Sequence, residues 1–159
     1  MFIQIICIGK LKEKFLRQAL EEYVMRLSAY CRLEIIELKD EVIPDKASPS
    51  EHYQVLNREG QRVLSKIKNN AYVICLDLEG QQLDSSEFSR HLENLAIQGK
   101  SNLVFLIGGS LGLSEEIKSK ADLKLSFSKM TFPHQLFRVM LLEQIYRAFK
   151  IINNETYHK

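Results

Sequence analysis

Long uncharged apolar runs are missing from this chain, and none approaches the roughly 18 residues a membrane span requires. The opening MFIQIICIGK has no basic region ahead of its apolar run and no small-residue cleavage site behind it. Neither a membrane protein nor a signal peptide is therefore expected. Glycine and proline are few, at 7 and 3, and 45% of the 159 residues are hydrophobic, a composition that argues against disorder. Cysteine is scarce and odd in number. Cys7, Cys31 and Cys75 stand far apart, in or beside apolar runs, which excludes a disulfide framework or a cysteine-rich metal site. They read as reduced core thiols of a cytoplasmic protein. No repeat, low-complexity tract or linker breaks the sequence, so residues 1–159 are read as a single domain.

Several chemistries lack their residues. No Gly-Lys-Ser/Thr follows a glycine loop, which rules out a P-loop. The run Ile107-Gly108-Gly109-Ser110-Leu111-Gly112 lies late in the chain and departs from the dinucleotide fingerprint. There is no Ser-His-Asp arrangement, no paired carboxylates and no metal-ligand cluster, so no metal is expected.

Five short runs rich in β-branched and aromatic residues are present: Phe2–Ile8, Leu33–Leu38, Ala71–Leu78, Leu103–Ile107 and Leu123–Phe127. Several are apolar almost throughout, as strands covered on both faces are. Helical patterns alternate with them. Leu16, Ala19, Leu20, Tyr23 and Leu27 share one face, Ser48-Pro49 opens a polar helix to about Lys68, and Asp84 with Glu87 forms a capping box. Ser114 caps a short helix. The expected fold is an α/β protein: a parallel-rich sheet of five or six strands with helices on both faces.

The last helix begins at Pro133, runs to about Ile152 and is apolar on most of its circumference. Such a helix needs cover on more than one side. Either a second subunit supplies it, giving a homodimer through this helix, or the helix is central to the monomer. Net charge is only +2, but residues 1–117 sum to −3 and residues 118–159 to +5. That asymmetry fits an anionic partner near the C-terminal third, or chance clustering on a solvated surface.

Ligands of open α/β sheets bind beyond the carboxyl ends of strands. Three such ends are unusual: Leu76-Asp77-Leu78-Glu79-Gly80, the glycine run at Gly108, and Ser126-Phe127-Ser128-Lys129-Met130-Thr131-Phe132-Pro133-His134. Glycines after a strand admit a flat ligand or simply make a turn. Phe127, Met130 and Phe132 either line a pocket or anchor their loop to the core.

The segment Leu125–Gln135, with Arg138 and Glu143-Gln144-Ile145-Tyr146-Arg147-Ala148, closely resembles the ribosomal RNA large-subunit methyltransferase H family. The Gly108-Gly109 loop, the opening Gly9-Lys10-Leu11-Lys12 and the terminal Tyr157-His158 match as well, so the resemblance spans the chain. It implies a SPOUT methyltransferase with a C-terminal trefoil knot, acting as a homodimer. The implied reaction is methylation of N3 of a pseudouridine in 23S rRNA within the ribosome, with S-adenosyl-L-methionine as donor. Carried over by position, cofactor contacts fall on Leu76, Gly108, Phe127, Ser128, Lys129, Met130, Thr131 and Phe132. Arg147, Tyr157 and His158 are the RNA-binding candidates. His158 is also the candidate catalytic base, with an imidazole suited to proton transfer near neutrality or else a place in an inert tail. Arg147 has the alternative of a helix C-terminal cation. A related knotted tRNA methyltransferase and a non-catalytic ribosome-binding protein are the rival readings.

Overall fold

A computed structural model describes residues 1–157. Five strands, β1 (Phe2–Ile8), β2 (Arg32–Leu38), β3 (Tyr72–Gln82), β4 (Asn102–Ile107) and β5 (Leu123–Ser126), form one sheet in the order β2-β1-β4-β3-β5. Every pairing is parallel, so all five carboxyl ends share one edge. Helices α1 (Lys14–Leu27), α2 (Pro49–Leu64), α3 (Ser85–Ile97), α4 (Glu115–Lys120) and α5 (His134–Ile152) alternate with the strands.

The apolar runs are explained by a core on each face. Ile3, Ile5 and Cys7 of β1 and Leu103, Phe105 and Ile107 of β4 pack with Leu27 of α1, Leu92 of α3 and Leu141 of α5. Their sequence neighbours Ile6, Ile8, Val104 and Leu106 point the other way, onto Val63 of α2 and Ile117 of α4. A strand alternates sides at every residue, so two covered faces require apolar residues at nearly every position. The three cysteines are buried free thiols, and burial pushes Cys7 and Cys75 up to about 12 and Cys31 to about 11. They remain protonated and unreactive.

The helix starts follow their capping chemistry. Ser48 and Asp84 each accept from the backbone N–H three residues on, and Glu51 and Glu87 reach back to complete both boxes. Ser114 caps α4. α2 stops at Leu64, a turn short of the expected Lys68.

One expectation changes, and one open alternative gains detail. β3 continues past Leu78 to Gln82, because Leu76 and Gln81 both pair with Leu125 and the residues between them bulge out of the ladder. The Leu76–Gly80 segment is thus a bulge inside a strand rather than its end. α5 also finds much of its cover within the chain, since α1 and α3 both pack against it. Leu136 at its start stays 37% exposed, and Val139 and Met140 are only half-buried. Among the described residues no helix is long and apolar enough to cross a membrane.

Candidate functional site

The carboxyl edge of the sheet carries a crevice of about 360 Å³. The β3 bulge contributes Leu76, Asp77 and Leu78, the loop after β4 contributes Gly108, Gly109, Ser110 and Gly112, and the loop after β5 contributes Phe127 to His134 except Lys129. Its volume and mainly apolar walls fall in the range of small-molecule sites. Met130 and Phe132 stand exposed, while Phe127 and Phe132 stack around Phe137 with centroids 4.7 and 6.2 Å away. Ser126 Oγ donates to the Ser128 carbonyl at 3.1 Å, and Ser128 Oγ accepts from Met130 N at 3.0 Å. These bonds fold the β5–α5 loop into a wall.

The glycine loop forms the facing wall. A Cβ on Gly108 would lie 2.4 Å from the carbonyl carbon of Gly112 and 2.5 Å from its oxygen, so only glycine fits without moving backbone. The hairpin is closed by Gly112 N donating to the Gly109 carbonyl at 3.0 Å.

Two titratable groups line the crevice. Asp77 is ion-paired with Lys118 of α4 at 3.1 Å, and Lys118 also meets Glu115 at 3.5 Å. His134, at the first turn of α5, is held below the usual histidine range by burial, then by the Arg138 cation. Its imidazole is therefore neutral at neutral pH. A lowered native pKa means that the unfolded chain binds the proton more readily, so the stability this site contributes is lost as pH falls below 6.5. His134→Gln should flatten that part of the profile of melting temperature against pH; an unaltered profile would mean that His134 does not titrate as its surroundings require.

Of the cofactor candidates, the crevice gathers Leu76, Gly108, Phe127, Ser128, Met130, Thr131 and Phe132. Lys129 is exposed and is not among the residues of its wall. Arg147 and Tyr157 lie elsewhere. Thirteen residues of α5 separate His134 from Arg147, about 20 Å at the rise of an α-helix. There Arg147 Nε donates to Glu143 at 3.0 Å, the Tyr157 hydroxyl donates to the same oxygen at 3.2 Å, and the guanidinium sits 5.0 Å from the Tyr157 ring. Burial, with Tyr23 and Glu143 nearby, pushes the Tyr157 hydroxyl up to about 12. His158 lies outside the described residues.

Sequence reasoning assigned no role to Asp77. A lone acid inside the apolar Ile74–Leu78 run was the available signal, because a strand buries such a group only against a partner.

The fold and the crevice define a protein of the SPOUT methyltransferase class. The family model described as "Predicted SPOUT methyltransferase" matches residues 1–158. A methylase family protein from Haemophilus influenzae Rd KW20 superposes with a TM-score of 0.54 at 14% identity, covering 99% of this chain and 70% of that one. That likeness shows the fold. Ribosomal RNA large subunit methyltransferase H 1 of Clostridium perfringens (strain SM101 / Type A) is 60% identical over 159 residues, all of both chains. The protein of that name from Clostridium kluyveri (strain NBRC 12016) is also 60% identical over its full length, and that of Clostridium tetani (strain Massachusetts / E88) 58%. The chain belongs to the ribosomal RNA large subunit methyltransferase H family, within the SPOUT methyltransferases.

Proposed function

We propose that this methyltransferase moves the methyl group of S-adenosyl-L-methionine to N3 of a pseudouridine in 23S rRNA, on the assembled ribosome. The observation that carries the reading is the crevice itself, with the glycine loop and the Leu76 bulge facing the Phe127–Phe132 loop. The residues fit a nucleoside. Leu76, Met130 and Phe132 offer apolar surfaces for the faces of an adenine, with main-chain groups at its edge, and Gly108 leaves room for close approach. When bound, the donor supplies an electrophilic methyl on a positive sulfur, so the protein needs no nucleophile of its own.

What remains for the chain is alignment. The acceptor nitrogen must stand in line with the methyl carbon, and such positioning is worth about 7–11 kcal/mol at best. As N3 bonds to the methyl, its proton must leave, and His158 is the group we assign to receive it. Neutral His134 adds no cation to the crevice that would hold the positively charged donor.

A dimer belongs to the same proposal. Arg147 lies ten residues along α5 from Phe137 of the crevice wall, about 15 Å by helix rise, and Tyr157 packs against its guanidinium. We assign the RNA-binding and proton-accepting roles of the C-terminal residues to a dimer in which each copy's C-terminal segment serves the other's crevice. The half-buried Leu136–Met140 side of α5 borders a cleft of about 550 Å³, whose lining includes Phe132, Val139 and Met140, and this is the surface we assign to the contact. The C-terminal trefoil knot implied by the sequence resemblance is part of this reading.

Calorimetry with S-adenosyl-L-methionine and methyl incorporation into separated ribosomal and transfer RNA test the function together. Cofactor binding with label in ribosomal RNA is expected. Label in transfer RNA instead, or no binding at millimolar cofactor, would overturn it. Activity on a short naked RNA hairpin equal to that on ribosomal particles would remove the assembled ribosome from the proposal.

A further inference from the structure

Nine cations among the described residues are answered by a carboxylate. Lys118 meets Asp77, Lys120 meets Glu116 at 2.9 Å, Arg138 meets Glu37 at 2.7 Å, and Lys150 meets Glu155. The positive excess of residues 118–159 is largely cancelled in space, partly by acids from earlier in the chain. Among the described residues, Lys10, Lys12 and Lys14 have no such partner, and all three side chains are exposed. They stand within five residues, Lys10 and Lys12 on the loop that joins β1 to α1 and Lys14 at the first position of α1. Glu13 is the one acid among them.

The loop's backbone is fixed although its lysines are free. Gly9 takes a φ of +86° and its N–H donates to the Leu38 carbonyl at 2.7 Å. Arg138 Nη2 donates to the Gly9 carbonyl at 2.8 Å, Leu11 N to Glu37 at 2.8 Å, and Lys12 N to Gln135 Oε1 at 3.0 Å. Arg17 Nη2 reaches the Leu11 carbonyl at 3.2 Å from α1. Leu11 is buried, so the chain alternates Lys10 outward, Leu11 inward and Lys12 outward. Three elements, β2, α1 and α5, thus pin a short segment that presents three cations, and a segment already ordered loses little entropy when it binds.

Its position is equally specific. The loop leaves the carboxyl end of β1, next to β4 in the sheet, on the edge that holds the crevice. A Cβ at Gly9 would lie 3.8 Å from Nε2 of His134, a residue of the crevice wall.

We propose that the β1–α1 loop is a phosphate-binding edge, on which Lys10, Lys12 and Lys14 hold the backbone of the RNA strand that delivers the target base to the crevice. The proposal rests on the ribosomal RNA reading above and adds a binding surface to it. Contacts of this kind position the strand and carry no base information, so the loop sets affinity while the crevice sets the nucleotide.

The test uses the full chain carrying Lys10→Gln, Lys12→Gln and Lys14→Gln together, with purified ribosomal particles as the probe. Losing three phosphate contacts should weaken particle binding at least about tenfold at about 0.1 M salt and lower the slope of log affinity against log salt by about 2–3. Affinity for S-adenosyl-L-methionine and melting temperature should stay at wild-type values. Lys66→Gln, beyond the far end of α2, should change neither measurement. Wild-type particle affinity and salt slope in the triple variant would overturn the proposal, as would loss of cofactor affinity, which would place the loop in the donor site. Failure of the wild-type protein to bind ribosomal particles would instead overturn the ribosomal RNA reading, and this proposal with it.

Discussion

Gly108→Ala should abolish binding of S-adenosyl-L-methionine while the protein stays folded. The added Cβ would fall 2.4 Å from the Gly112 carbonyl carbon, 2.5 Å from its oxygen and 2.8 Å from its Cα. All three are main-chain atoms, so no side chain can rotate away, and the two arms of the loop must separate. Separation displaces the wall that faces Phe127–Phe132 and changes the width of a slot meant for a flat ring. A loss of at least a hundredfold in affinity, about 2.7 kcal/mol or more, is expected by calorimetry. The loop lies on the surface beyond β4, so helical content by circular dichroism should be unchanged. Gly109→Ala is the contrast: its Cβ would meet the Ile8 Cγ2 methyl at 3.0 Å and Glu59 Oε2 at 3.5 Å, side-chain atoms that can give by a few tenths of an ångström without parting the main chain. Its loss should be several-fold at most. Wild-type affinity in Gly108→Ala would remove the glycine loop from the donor site.

The regular parts of the fold were legible because their causes are local. A strand with two covered faces must be apolar at successive positions, and Phe2–Ile8 was readable to the residue. The capping box at Asp84–Glu87 and the cap at Ser114 fixed helix starts in the same way. The long-range consequences were not legible. The β3 bulge depends on how Gln81 and Leu76 share one partner on β5, about fifty residues on, and the polar Glu79–Gln82 tail gives no local sign of a strand. The cover of α5 could not be apportioned from the sequence, because a helix pattern does not reveal which other helices lie on its face of the sheet; α1 and α3 both do. Charge summed along the chain hides its pairing for the same reason. Arg138 is counted with the C-terminal excess, yet its partner Glu37 belongs to β2. In the crevice, residue type pointed to the aromatic and glycine positions, whereas Lys129 is exposed and not among the residues of the wall, which a loop without a periodic pattern does not reveal.

Arg138→Met should cause a large loss of stability, on the scale of truncating a buried leucine of α5 to alanine. The guanidinium is 1% exposed and ties α5 to the ends of two strands. Nη1 donates to Glu37 Oε1 at 2.7 Å, and Nη2 donates to the carbonyls of Ile8 and Gly9 at 3.0 and 2.8 Å. Removing one partner of a buried pair costs about 3–5 kcal/mol, because the other is left without compensation. Two features place this site at the lower end. Glu37 keeps 36% of its side chain exposed and can rehydrate, and Arg138 Nε is buried without an acceptor, a cost the methionine would relieve. The Ile8 and Gly9 carbonyls have no such escape, since both residues are buried. A loss of about 3 kcal/mol, read from the urea midpoint, corresponds to a fall of about 6–12 °C in melting temperature for a chain of this size. Arg138→Lys keeps the charge but loses the fork that spans three acceptors, and should fall between the two. Glu37→Gln should cost less than either, because the amide oxygen can still accept from Arg138 and Leu11. A midpoint unchanged in Arg138→Met would mean that β1 and α5 are held together by apolar packing alone. The expected loss would instead make this arginine the link through which the first turn of α5, with His134 on the crevice wall, is fixed against the strand that bears the lysine loop.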